Sequence, residues 1–150
     1  MYYVLSLVGP PGHGKTSLLA ATRSSAYMST MEPSKHVVPR ADNTFLEIWD
    51  TPGLLRYADA AEHTMRRCDA HLLVLRRKLD DMARYERWVH TKPGKWVVIA
   101  LGDTDALGKW ADALGVSFCH VDDADDAWAA AERALRYISP RIKSDVLEAT

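Results

Sequence analysis

The sequence predicts an α/β fold of three layers: a mostly parallel six-stranded sheet, one edge strand antiparallel, with helices on both faces. Two observations carry this. Strand-sized apolar runs alternate with amphipathic stretches nearly from end to end, as in sheets whose strands are joined by helical crossovers. The dyad Asp42-Asn43 lies between two short strands and suits a hairpin. Pro39 has no N–H to give to a ladder, which places the first of those strands at an edge.

The elements follow in order. Tyr2 to Val8 is an apolar run that suits one buried strand, and Lys15 to Thr22 reads as a helix. Lys35 to Pro39 and Thr44 to Trp49 make the hairpin. Leu54, Ala58, Ala61, Met65 and Cys68 recur at helical spacing, so a helix is expected over Leu54 to Arg67. Ala70 to Leu75 is a strand, and Asp80 to His90 a helix closed by Lys92-Pro93-Gly94-Lys95. Trp96 to Leu101 is the next strand. A short helix, Ala106 to Leu114, carries Leu107, Trp110 and Leu114 on one face and stops at Gly115. Val116 to His120 is the last strand. The last helix runs from about Ala124 to Ile138, acidic at its start and basic later, which complements the helix dipole. Ser139-Pro140 ends it. Residues 1–150 are read as one domain, with 139–150 a tail.

Composition narrows the function. The net charge of −1, with 26% charged and 47% apolar residues, favours neither nucleic acid nor an anionic membrane. Every apolar run is far shorter than the ~20 residues of a membrane span, and no lipidation signal or signal peptide is evident. Cys68 and Cys119 lack metal-site spacing and read as reduced thiols. The expectation is a cytoplasmic protein with no membrane anchor of its own and no direct nucleic-acid binding.

In such sheets ligands bind at the carboxyl ends of the strands. Directly after the first strand stands Gly9-Pro10-Pro11-Gly12-His13-Gly14-Lys15-Thr16, followed by Ser17. It matches G-x-x-x-x-G-K-[ST], the P-loop or Walker A pattern, at every fixed position. Glycines let successive backbone N–H groups turn inward around a β-phosphate, and the helix that begins here presents its positive end to the same anion. Lys15 is placed to reach the β- and γ-phosphates, and the Thr16 hydroxyl to bind Mg²⁺. His13 fills a variable position, where its backbone N–H is expected to matter more than its ring. The fold implied is that of the P-loop NTPases.

The second strand of the hairpin runs into Asp50-Thr51-Pro52-Gly53. A carboxylate there, beside the P-loop strand, is where a second Mg²⁺ anchor belongs. Asp50-x-x-Gly53 resembles the DxxG motif of the small GTPases of the Ras-like, translation-factor class. That resemblance extends from about Tyr2 to Ile138. It implies that Asp50 holds Mg²⁺ through water and that the Gly53 N–H senses the γ-phosphate. AAA-type ATPases share the loop almost letter for letter, but the strand ending in Asp-Glu that they require is not evident.

Other motifs of that family are degenerate. Its first switch loop carries a threonine that completes the Mg²⁺ site; Thr30 is the best candidate, with Ser29 second. The glutamine that orients the attacking water is replaced by Leu54, which cannot do so. An arginine from a partner could assist, and Arg40 and Arg56 lie in or near the switches, though solvated surface is their plainer reading. The guanine motif N-K-x-D is represented by Gly102-Asp103-Thr104-Asp105. Asp105 matches the aspartate that accepts two N–H bonds from guanine, with helix capping as the competing reading. His120 stands where the family backbone touches the base. Arg76-Arg77-Lys78, with Arg84 and Arg87, is a basic cluster, read first as a solvated face and second as a partner surface.

These readings converge on a GTP-binding switch with slow, Mg²⁺-dependent hydrolysis that a protein effector or activating partner stimulates. A nucleotide-binding module that does not hydrolyse is the alternative, and an ATPase the third.

Overall fold

The computed structural model describes residues 1–15, 18, 34–40, 43–53, 55–102, 105–121, 128–129, 132 and 135–142. Six strands form one sheet: β1 (Tyr2–Val8), β2 (Ser34–Pro39), β3 (Phe45–Asp50), β4 (Ala70–Leu75), β5 (Lys95–Ala100) and β6 (Ser117–His120). Their order is β2-β3-β1-β4-β5-β6. Only β2 runs antiparallel, pairing Ser34 with Asp50 and Pro39 with Phe45. Asn43 sits in the left-handed region at φ 66°, and the Arg40 N–H donates to the Thr44 carbonyl at 2.9 Å. Asparagine tolerates that conformation, which is why this short connection can reverse the chain.

Three helices are described fully: α1 (Ala58–Met65), α2 (Ala83–Thr91) and α3 (Asp105–Leu114). The sheet sorts its side chains with period two, as pleating requires. From β4, Ala70, Leu72 and Val74 enter one apolar layer together with Leu18 and Leu135. Leu73 and Leu75 enter the other, with Ala61 and Met65 of α1, Tyr85 and Trp88 of α2, and Leu107, Trp110 and Ala111 of α3. All six residues of β4 are buried, as expected of a central parallel strand covered on both faces.

Two helices differ from their sequence-based bounds. The segment after Gly53 begins as a 3₁₀ turn, Leu55–Tyr57, before α1. The α2 helix starts three residues later than Asp80. The Asp81 carboxylate accepts the Ala83 N–H at 2.9 Å while Met82 is buried in the apolar layer, so the chain turns inward before it coils. The first helix is described at Lys15 and Leu18, where the Leu18 N–H donates to the Gly14 carbonyl at 3.0 Å. Of the last predicted helix, Trp128, Ala129 and Glu132 are helical and Leu135–Tyr137 is a 3₁₀ turn. The Trp128 indole N–H donates to the Leu18 carbonyl at 2.7 Å.

The amino end of β1 is tied down. Tyr2 and Arg141 exchange backbone hydrogen bonds of 2.9 and 2.7 Å, and the Arg141 guanidinium grips both carboxylate oxygens of Asp69 at 3.0 and 3.2 Å. Burial pushes the Cys68 thiol up to about 12, so it behaves as a small apolar side chain. Among the described residues no helix is long and apolar enough to cross a membrane.

Candidate functional site

The sheet reverses its direction of growth at β1, with β3 on one side and β4 on the other. The crevice at such a switch point opens at the carboxyl ends of the strands, and residues 9–15 leave β1 there. Gly9 (φ 150°) and Gly14 (φ 111°) hold conformations that L side chains rarely adopt. A β-carbon on Gly9 would come 2.5 Å from the Val74 carbonyl oxygen, so the loop can lie on β4 only with glycine there. Gly12 also has positive φ, with open space where a side chain would point.

The loop encloses Lys15, whose ammonium donates to the Gly9 carbonyl. Burial lowers the Lys15 pKa to about 8; the Asp50 carboxylate acts to raise it and the Arg84 guanidinium to lower it further. Both side chains therefore lie within electrostatic reach of Lys15. Asp50 itself is 1% exposed at the end of β3, paired in register with Leu7 of β1. Thr51 fixes the turn that follows. Its N–H and its hydroxyl both donate to the Leu7 carbonyl, at 3.1 and 2.7 Å.

Gly53 packs directly on the loop. A β-carbon there would lie 2.7 Å from the Gly9 carbonyl oxygen, 2.7 Å from the Pro11 nitrogen and 2.8 Å from the Lys15 ammonium. Glycine is what lets this backbone pack against the loop so closely.

Two contacts were not legible in the sequence. The His13 ring is buried, and its Nδ1 accepts the Arg76 backbone N–H at 3.1 Å. An accepting Nδ1 requires the neutral ring, and burial, with Arg77, Arg76 and Lys15 nearby, lowers its pKa. The side chain thus fastens the phosphate loop to the segment leaving β4. The second contact is made by Arg84. It leaves the basic cluster, in which Arg76, Arg77, Lys78 and Arg87 are exposed, and turns toward the Gly53 carbonyl.

The positions expected to face a base are more scattered. Asp105 opens α3 and His120 ends β6, both exposed and both at the carboxyl ends of neighbouring strands. Gly102 approaches the Arg76 carbonyl so closely that a β-carbon would come within 2.5 Å. An asparagine at this position would collide with that backbone unless one of the two segments moved. Arg40 is carried to the opposite end of the sheet. It follows Pro39, five residues along the ladder from Asp50 or roughly 17 Å, and its guanidinium rests over Tyr3 and on Glu132. Arg56 is exposed in the 3₁₀ turn, over the Tyr57 ring. The predicted positions Thr16, Ser17, Ser29, Thr30, Leu54 and Asp103 lie outside the described residues.

The residues present fit a hard divalent cation at a phosphate. Asp50, buried at the end of β3 and within electrostatic reach of Lys15, offers the kind of hard carboxylate oxygen that Mg²⁺ takes together with phosphate oxygens. Among the described residues no cluster of three or more His, Cys, Asp or Glu side chains could hold a metal without that help.

The comparisons with known proteins agree with this geometry. The chain resembles the crystal structure of a bacterial selenocysteine-specific elongation factor, EF-Sec, with a TM-score of 0.69 over 93% of this chain and 19% identity. It spans 30% of the length of that chain, so the likeness is one of fold. No curated protein matches by sequence. The family model described as 50S ribosome-binding GTPase matches residues 4–101, which include the phosphate loop, Asp50 and Gly53 and stop just before Gly102. This chain belongs to that GTPase family, whose members bind GTP.

Proposed function

We propose that this domain is a guanine-nucleotide switch that hydrolyses GTP slowly by itself and faster with a protein partner. The observation that carries the reading is the packing of Gly53 on the phosphate loop against Lys15. A γ-phosphate in the cradle would meet the Gly53 N–H, and its loss would release the segment that follows.

In this reading Gly9, Gly12, His13, Gly14, Lys15, Thr16 and Ser17 surround the phosphates. Thr16 and Asp50 hold Mg²⁺, and Thr30 completes the site in the triphosphate state. When bound, Mg²⁺ neutralises charge on the β- and γ-phosphates. Lys15 stabilises the charge that develops as water attacks, and Gly53 orients the terminal phosphate. Asp105, with Asp103 and His120 near it, faces the base, and the Asp105 carboxylate selects guanine over adenine. Leu54 cannot orient water, which makes the intrinsic reaction slow. That same residue favours the second reading, a nucleotide-binding module that does not hydrolyse.

Single-turnover hydrolysis of GTP with Mg²⁺ tests the proposal. The protein alone should turn over on the order of 10⁻⁴ to 10⁻³ s⁻¹, and cell extract should raise this by orders of magnitude. No turnover in either condition would leave the non-hydrolysing module.

A further inference from the structure

Arg84 lies in the first turn of α2, outside the phosphate loop and outside the Asp50–Gly53 segment. Its guanidinium does not extend into solvent. It stacks over two buried rings, 4.9 Å from the Tyr85 centroid and 5.2 Å from that of Trp88. Its Nη2 donates to the Tyr85 hydroxyl at 2.7 Å and makes a long contact, 3.5 Å, with the Gly53 carbonyl. The aromatic floor is rigid, since Tyr85 and Trp88 are 1% and 2% exposed. An arginine held flat on such a floor loses little freedom when it acts on an anion.

Gly53 therefore stands between two cations. Lys15 reaches it from the loop and Arg84 from α2. We propose that Arg84 is a positioning residue supplied within the chain for the γ-phosphate end of the site: it holds the Gly53 peptide against the loop and adds positive charge beside Lys15. This rests on the guanine-nucleotide reading and deepens it. Arg84 favours the triphosphate state over the diphosphate state, because the additional negative charge of the triphosphate sits at the end of the site that Arg84 faces. An arginine placed for a phosphoryl group can come from the same chain or from a partner; here it comes from the helix after β4 and reaches the site through Gly53.

The test is equilibrium binding of fluorescent GDP and of a non-hydrolysable GTP analogue, both with Mg²⁺, to the wild type and to Arg84→Ala, Arg84→Gln and Arg84→Lys. Thermal unfolding of each variant accompanies it. Arg84→Ala and Arg84→Gln should weaken the analogue by about tenfold more than GDP, and Arg84→Lys should keep most of the preference. Arg84→Gln keeps a donor and much of the stem, so it carries the test if Arg84→Ala fails to fold. An unchanged ratio of the two affinities in the folded variants overturns the role of Arg84 and leaves the nucleotide switch standing. A wild type that binds neither nucleotide overturns both.

Discussion

The ring of His13 accepts the backbone N–H of Arg76 across 63 residues of chain. That one bond joins the phosphate loop to the segment leaving β4, whose carbonyl at Arg76 in turn lies against Gly102. The phosphate loop and the segment carrying Gly102 thus meet through Arg76. His13→Ala removes the acceptor and leaves the N–H to find water. Unfolding by denaturant should show a loss of about 0.5–1.5 kcal/mol. Nucleotide affinity should fall in parallel, because the loop loses its tether. An unchanged affinity would show that the glycines alone hold the loop in shape.

Lys15 sets a pH limit on binding. Its pKa in the folded protein is about 8, and phosphate favours the charged form, so binding takes up a proton wherever Lys15 is neutral. Affinity should be flat below pH 7 and fall as pH rises through 8, by about tenfold at pH 9. Calorimetric titrations in buffers of different ionisation heat measure the proton uptake directly. Lys15→Ala should abolish binding while leaving the fold in place. A pH-independent affinity between 7 and 9 would mean that Lys15 does not meet the phosphates.

Gly53→Ala should act on the triphosphate state. The added carbon meets backbone atoms of Gly9 and Pro11, which cannot swing away as a side-chain tip can. The segment must lift off the loop, at a cost of about 1–3 kcal/mol. Affinity for a non-hydrolysable GTP analogue should drop more than affinity for GDP. Equal losses for both would place Gly53 away from the γ-phosphate.

The core carries a second pH dependence. His71 is fully buried, with its Nε2 on the Pro93 carbonyl at 2.7 Å and its Nδ1 on the Ser6 hydroxyl at 2.8 Å. A carbonyl only accepts, so Nε2 carries the proton and Nδ1 accepts from Ser6. Burial lowers the His71 pKa below its ordinary 6.5. The unfolded chain therefore binds more protons than the folded one just below that value, and stability falls as pH drops from 6.5 toward the depressed value. His13 shifts in the same direction and adds to the loss. The denaturant midpoint should decline between pH 7 and pH 5, and His71→Gln should flatten part of that decline. A midpoint independent of pH over this range would mean that both rings titrate in the fold as they do in the unfolded chain.

What could be read from the residues was local or periodic. Four fixed positions between a strand and a helix define the phosphate loop, and alternation of apolar runs defines the layers, because burial on both faces leaves a plain pattern in β4 and β5. Asp50 and Gly53 could be found because they follow a strand. The order of the strands, the reach of Arg84 to Gly53 and the His13–Arg76 bond depend on which segments meet in space, and nothing in the spacing of those residues encodes it. The closeness of Gly102 to the Arg76 carbonyl likewise appears only when the two segments are seen together.

The bond from the Trp128 indole to the Leu18 carbonyl gives the molecule an optical gauge of its own site. Leu18 belongs to the helical turn that begins at Lys15, so any shift of that turn alters the surroundings of the indole and the colour and yield of its emission. Trp96 is packed in the opposite layer, away from that turn, and supplies a steady background. Filling and emptying of the cradle can be followed by the protein's own fluorescence, without a label on the nucleotide or on the chain.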